Sequence, residues 1–183
     1  MPRAPELEVG LAAFAAALTR WGERMNLVGS TEPAALERHF ADSLAAAVAL
    51  PAEARVVDLG SGAGFPGIPI ALARRDLRLT LVEVREKRLA FLRHAVRELR
   101  LAIEVRAASI DSPPEEAFDY ALLRAVAPPE RSLQIGVRWV TPSGEVWIWA
   151  GPEAGLPGAQ PLPLGSGGNI LRVRAADFSR GTS

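Results

Sequence analysis

Val56-Val57-Asp58-Leu59-Gly60-Ser61-Gly62-Ala63-Gly64-Phe65-Pro66-Gly67 joins a short apolar run to a cluster of glycines at every second position. Arg55 to Leu59 reads as a buried strand, and the glycines follow it at once. Glycine lets the backbone turn sharply and approach a ligand with no side chain between them. A helix is expected to follow, and a glycine turn between strand and helix is where doubly wound sheets bind nucleotides.

Outward from this turn, strand and helix patterns alternate. Leu79 to Glu83 reads as a second strand, and residues 86–100 as an amphipathic helix with Leu89, Leu92, Val96 and Leu99 inward. Ile103 to Ala107 and Asp119 to Leu123 read as a third and a fourth strand. A helix near 129–139 follows, opened by Pro128-Pro129, and Glu145 to Ala150 is a fifth strand. The Gly- and Pro-rich residues 151–168 read as a loop, and Ile170 to Arg174 as a last strand. Strands separated by helices imply parallel pairing through right-handed crossovers. The expected fold is α/β, a doubly wound and mostly parallel Rossmann-like sheet.

Two helices precede it. Residues 6–26 place Leu7, Leu11, Phe14, Leu18, Trp21 and Met25 on one stripe. A second helix is expected from near Thr31, a good cap, with Pro33 in its first turn. It carries Leu36, Phe40, Leu44 and Val48 and stops before Pro51. Residues 1–183 thus read as one domain. A helical cap covers 1–50, the α/β core 55–150, the loop 151–168, and the last strand and tail 169–183.

Composition narrows the chemistry. With 183 residues, 49% hydrophobic and 23% charged, the chain fits one ordinary globular domain. It has no cysteine, which excludes disulfides, thiolate metal sites and covalent cysteine catalysis at a pyrimidine C5. Twenty-one basic and 21 acidic residues leave no basic footprint at the level of the whole chain. No uncharged apolar run approaches the ~20 residues of a membrane span. The opening Met1-Pro2-Arg3-Ala4-Pro5-Glu6 lacks the apolar core of a signal peptide, so a cytoplasmic address is expected. No metal is expected either, since His39 and Asp42 have no further ligand at metal spacing. A monomer is expected.

Two cofactor classes fit the glycines. Gly62-Ala63-Gly64-Phe65-Pro66-Gly67 matches the dinucleotide pattern G-x-G-x-x-G, a weak signal alone. The turn should begin directly after the strand, however, at Gly60. Read from there, Asp58-x-Gly60-x-Gly62-x-Gly64 is the arrangement of S-adenosylmethionine-dependent methyltransferases. Glu83 ends the next strand, 19 residues after Gly64, where a carboxylate accepts both hydroxyl protons of an adenosine ribose. An acid at Asp58 also suits a sulfonium better than a diphosphate.

Beyond the loop, the sequence resembles the bacterial small-subunit rRNA guanine-N7 methyltransferase family, also called glucose-inhibited division protein B. The resemblance covers most of residues 18–150. It rests on Trp21 to Val28, on Arg38-His39-Phe40-Ala41-Asp42-Ser43-Leu44, and on Asp58 to Ile70 with its Gly-Phe-Pro-Gly-Ile-Pro signature. Glu83 to Leu92 and Phe118 to Ala127 match as well. It implies a class I methyltransferase fold, S-adenosylmethionine as cofactor, and 16S rRNA in the small ribosomal subunit as partner. Asp58, Gly60, Gly62, Gly64, Phe65 and Glu83 would then line the cofactor, with Ser109 and Ile110 near its adenine. Arg124 closes the fourth strand, where amine methyltransferases carry an Asn/Asp-Pro-Pro-aromatic motif, and would orient the guanine or its phosphate. Guanine N7 has an exposed lone pair, so methyl transfer to it needs no general base, only positioning and electrostatics.

Two positions depart from the family pattern. Trp149-Ala150-Gly151 stands where a Leu-Lys-Gly type sequence is usual, and Ser109-Ile110-Asp111 where an arginine precedes acids. Both changes predict weaker RNA binding with cofactor binding unaffected. His39 and Asp42 lie one helical turn apart and read as a hydrogen-bonded pair that fixes the cap. Arg93, Arg97 and Arg100 read as a solvated face, Trp147 and Trp149 as packing residues, and Trp21 as core.

Overall fold

Parallel strands covered on both faces read as continuous aliphatic runs, and such runs form the centre of the sheet. The computed structural model describes residues 4–25 and 32–180, apart from the side chains of residues 23–25 and 179–180. Seven strands are ordered β3-β2-β1-β4-β5-β7-β6. They are β1 (Arg55–Leu59), β2 (Arg78–Glu83), β3 (Glu104–Ala107), β4 (Phe118–Arg124), β5 (Val140–Ala150), β6 (Gln160–Pro163) and β7 (Asn169–Arg174). The first five pair in parallel, β7 runs antiparallel to β5, and β6 antiparallel to β7.

Alternation along each strand sends side chains to two cores. Val56, Leu81, Leu122, Trp147 and Ile170 face the helices α1 (Pro5–Met25), α2 (Pro33–Ala49), α3 (Gly67–Ala73) and α4 (Glu86–Glu98). Val57, Leu59, Leu123, Val146 and Ile148 face α5 (Pro129–Gly136) and Trp139, with α6 (Ala175–Arg180) packed against β5 and β7. Helices after β1 and β2 thus cover one face and the helix after β4 the other. The chain reverses its winding between β1 and β4, and the crevice at their carboxyl ends is the topological switch point.

The α1 stripe is buried as expected, with Leu11, Phe14 and Leu18 inside, while Trp21 is half-buried against Phe91 at 5.7 Å. Thr31 and Met25's side chain lie outside the described residues; Glu32 occupies the N-cap position of α2 and Pro33 follows it. The α2 stripe needs correction, because Val48 is 86% exposed. Steps of four overshoot a 3.6-residue turn by about 40° each, so three steps from Leu36 rotate Val48 out, and Ser43, Ala46 and Ala47 face inward instead.

The carboxyl-terminal third also differs from expectation. The loop expected over 151–168 contains β6, whose Pro161 and Pro163 disguise it. Proline lacks an N–H and is tolerated in edge strands, and β6 is the sheet edge. Strand β5 begins at Val140 rather than Glu145, its polar start including Pro142, with an irregular register between Phe118 and Tyr120. The helix expected to residue 139 stops at Gly136, where Trp139 N–H turns back to the Gly136 carbonyl. Residues 175–180 of the expected tail form α6. No described helix is long and apolar enough to cross a membrane.

Candidate active site

The turn after β1 is held by backbone bonds to its neighbour. Gly60 and Ser61 N–H both donate to the Val82 carbonyl, at 2.9 and 3.0 Å, and Gly64 N–H to the Ser61 carbonyl at 2.7 Å. Gly60, Gly62 and Gly64 have φ of 73°, 55° and 88°, a region that side chains with a Cβ rarely adopt. At Gly64 a Cβ would also lie 2.5 Å from Ile68 Cδ1. Among the described residues the atoms nearest a Cβ at Gly62 are the guanidinium end of Arg88, at 3.5 Å, and the Gly60 carbonyl. The loop therefore presents bare backbone to the crevice.

Two carboxylates fix this loop. Glu83 Oε2 accepts from Gly62 N–H at 3.1 Å, while its Oε1 accepts from Val84 and Arg85 N–H at 2.8 and 2.9 Å. Arg88, unremarked in the sequence reading, places Nη1 3.6 Å from Glu83 Oε2. A carboxylate oxygen accepts two bonds, so Oε2 keeps capacity for one more donor. Asp58 is 1% exposed and lies beneath the loop, where Oδ2 accepts from Gly67 N–H at 3.0 Å. Burial pushes its carboxyl up to about 7, against the Gly67 N–H that favours the anion.

The third element is the segment after β3. Ala108 N–H donates to the Glu83 carbonyl at 3.2 Å, which brings Ser109 and Ile110 alongside the end of β2. Trp139 Nε1 holds the Ile110 carbonyl at 2.7 Å, and Arg131 pairs with Asp111 at 2.9 Å. Val84, 64% exposed, adds an apolar surface just after Glu83.

A second cluster closes the end of β4. Arg124 Nη2 lies 2.6 Å from His39 Nδ1 and 3.3 Å from Asp42 Oδ2, so the neutral imidazole accepts there and carries its proton on Nε2. His39 and Asp42 thus meet through Arg124, where the sequence suggested a bond to one another. The Arg124 guanidinium also sits 6.0 Å from the Phe65 ring centroid, which His39 approaches at 5.2 Å. Burial and then Arg124 lower the His39 pKa, and burial lowers that of Arg124. Ala125 follows at φ 54°, a strained conformation for a residue with a Cβ, and Val126 reaches within 3.1 Å of the Gly60 Cβ position. The glycine loop, Glu83 and Arg124 therefore lie at the carboxyl ends of β1, β2 and β4, at the switch-point crevice, with Phe65 beside Arg124.

The remaining candidates fall outside it. Arg93 and Arg97 are exposed on α4, and Arg100 is exposed just beyond its end at φ 51°, while His94 pairs with Glu98 at 2.9 Å. Ala150 packs on the α5 face, opposite the face that carries Trp147 and Trp149. Among the described residues no group of three or more His, Asp or Glu could hold a metal ion.

Comparison with known proteins gives a consistent result. The family described as "rRNA small subunit methyltransferase G" matches residues 8–155. The chain is 36% identical over 159 residues to "Ribosomal RNA small subunit methyltransferase G" of an Anaeromyxobacter species, covering 84% of this chain and 74% of that one. To the protein of that name from Desulfotalea psychrophila it is 44% identical over 117 residues, 60% of this chain and 54% of the other. A crystal structure of a SAM-dependent methyltransferase from Aquifex aeolicus superposes with a TM-score of 0.59 at 17% identity. It covers 78% of this chain and 94% of that one, a likeness of fold.

Proposed function

This chain belongs to the rRNA small subunit methyltransferase G family, and on that premise we propose that it methylates N7 of a guanine in 16S rRNA. The observation that carries this reading is that Glu83 and Arg124 end β2 and β4, the two strands that flank β1 and its glycine turn. S-adenosylmethionine supplies an electrophilic methyl group on a sulfonium. The residues present fit it: Glu83 Oε2 has capacity for a ribose hydroxyl, the Gly60–Gly64 backbone is bare, and Val84 and Ile110 offer apolar surface to an adenine.

The protein's own work is then positional. Glu83 orients the ribose, and Ser109 and Ile110 with the segment they belong to hold the purine. Phe65 packs on Phe14, Phe40 and His39 of the helical cap and lies beneath the Arg124 guanidinium. Asp58 holds the start of α3 under the loop through Gly67. Arg124, fixed by His39 and Asp42, presents a guanidinium at the carboxyl end of β4, where it orients the guanine or its phosphate. N7 needs no deprotonation, and no side chain here is required as a base. Alignment of the lone pair with the methyl carbon and exclusion of water provide the acceleration. The chain works as a monomer in the cytoplasm, with the small ribosomal subunit as its partner.

Purified protein, S-adenosylmethionine and small subunits lacking the modification test this directly. Methyl incorporation followed by strand scission at N7-methylguanine should give one cleavage in 16S rRNA. Incorporation without scission would move the reaction to another atom, and no incorporation by folded protein would sink the reading.

A further inference from the structure

Four described side-chain polar atoms are buried without a hydrogen-bond partner: Asp42 Oδ1, Arg124 Nη1, Trp149 Nε1 and Arg172 Nε. Buried polar groups are almost always paired, so each such atom calls for an explanation. The first three share one corner. Arg124 and Trp149 are register partners on β4 and β5, and in-register neighbours point to the same face. Trp149 packs on the face that holds Leu122 and Trp147. Asp42 reaches this corner from α2 with its side chain 7% exposed and Oδ2 3.3 Å from Arg124 Nη2. One acceptor without a donor thus stands beside Arg124, whose own Nη1 and whose register neighbour Trp149 are donors without an acceptor, and the three do not satisfy one another.

We propose that this corner reads the target base, with Asp42 and Trp149 as specificity-determining residues beside Arg124. The inference rests on the reading of the substrate as guanine. Guanine offers a ring N1–H next to the O6 carbonyl. Asp42 Oδ1 accepts from N1–H, and Arg124 Nη1 and Trp149 Nε1 donate to oxygen acceptors, O6 first, which leaves N7 free to react. Adenine reverses this edge. Its N1 lone pair would face the Asp42 oxygen and its amino group the Arg124 N–H, so two like pairs would meet in a desolvated site. The corner keeps an opening at Arg124, whose side chain is 16% exposed while that of Asp42 is 7% exposed, and the base approaches from that side with His39 and Asp42 still in place.

The test uses small subunits carrying the target guanine and subunits with adenine there, assayed by methyl transfer with mapping of the product. Asp42→Asn removes the anionic acceptor and keeps the shape; Trp149→Phe removes the indole N–H and keeps a ring. Asp42→Asn should lower kcat/KM on guanine by about tenfold or more and narrow the guanine-over-adenine preference. Trp149→Phe should lower kcat/KM by about threefold to tenfold. Calorimetric Kd for S-adenosylmethionine should stay within about twofold of wild type in both, with cooperative melting showing that they fold. Guanine methylation at N7 that survives both substitutions, or falls with the base preference unchanged, overturns this inference alone. Wild-type transfer to a different base overturns it together with the reading of the substrate.

Discussion

At the ends of β1 and β2 the amides of Gly60, Ser61, Gly62, Gly64 and Gly67 all find acceptors within 3.1 Å. At the end of β4 and β5, Asp42, Arg124 and Trp149 each keep a buried polar atom with none. The first region is assembled from residues 56–85, close in sequence, and these loop amides are satisfied within the protein. The second joins His39 and Asp42 to Arg124 across 85 and 82 residues and leaves three buried polar atoms unmatched. The contrast separates two tasks. On the proposed reading, a pre-organised loop receives the cofactor with little rearrangement, and the Arg124 corner offers its unmatched groups to a specific base.

Arg124→Ala should break the second region and spare the first. Removing a preorganised charge of this kind costs about 10²–10³ in kcat, while cofactor affinity should change by less than about twofold. Leaving Asp42 buried without its cation should also cost about 3–5 kcal/mol of stability, read by denaturant titration. Glu83→Ala is the mirror experiment. It removes acceptors for Gly62, Val84 and Arg85 N–H as well as for the ribose, and cofactor Kd should rise about 10- to 100-fold.

Asp58 sharpens the comparison through pH. Burial raises its pKa from 3.8 to about 7, so the folded chain binds this proton more tightly than the unfolded one. The resulting stability is fully present below about pH 3.8 and is lost as pH rises through about 7. Relative to Asp58→Asn, wild type should therefore lose melting temperature between pH 4 and 8; parallel profiles would contradict the raised pKa. The smallest effect is expected from Ala150→Lys. Ala150 is half-buried on the α5 face rather than beside Arg124. The lysine should strengthen small-subunit binding by no more than about threefold and steepen its salt slope by about one.

The strand, glycine turn and acid of the first region were legible because contiguous patterns encode them: an aliphatic run, glycines at positive φ and a carboxylate at the next strand end. The parallel core followed for the same reason. β6 and the start of β5 were hidden by Pro142, Pro161 and Pro163, which argue for loops by local propensity but are accommodated at an edge and an irregular pairing. His39 and Asp42 stood out by their one-turn spacing, yet their meeting with Arg124 depends on how α2 lies against β4, which no local pattern encodes. Asp58 was read as a counter-charge for the sulfonium; the structure places its carboxylate on Gly67 N–H beneath the loop. Trp149 looked like packing and does pack, but its unpartnered N–H emerges only from the register of β4 and β5.

Calorimetric titration of S-adenosylmethionine into wild type, Glu83→Ala and Arg124→Ala tests this division most directly. Wild type and Arg124→Ala should bind saturably with similar Kd, and Glu83→Ala at least about tenfold more weakly. Equal weakening by both substitutions, or no binding by folded wild type, would contradict it.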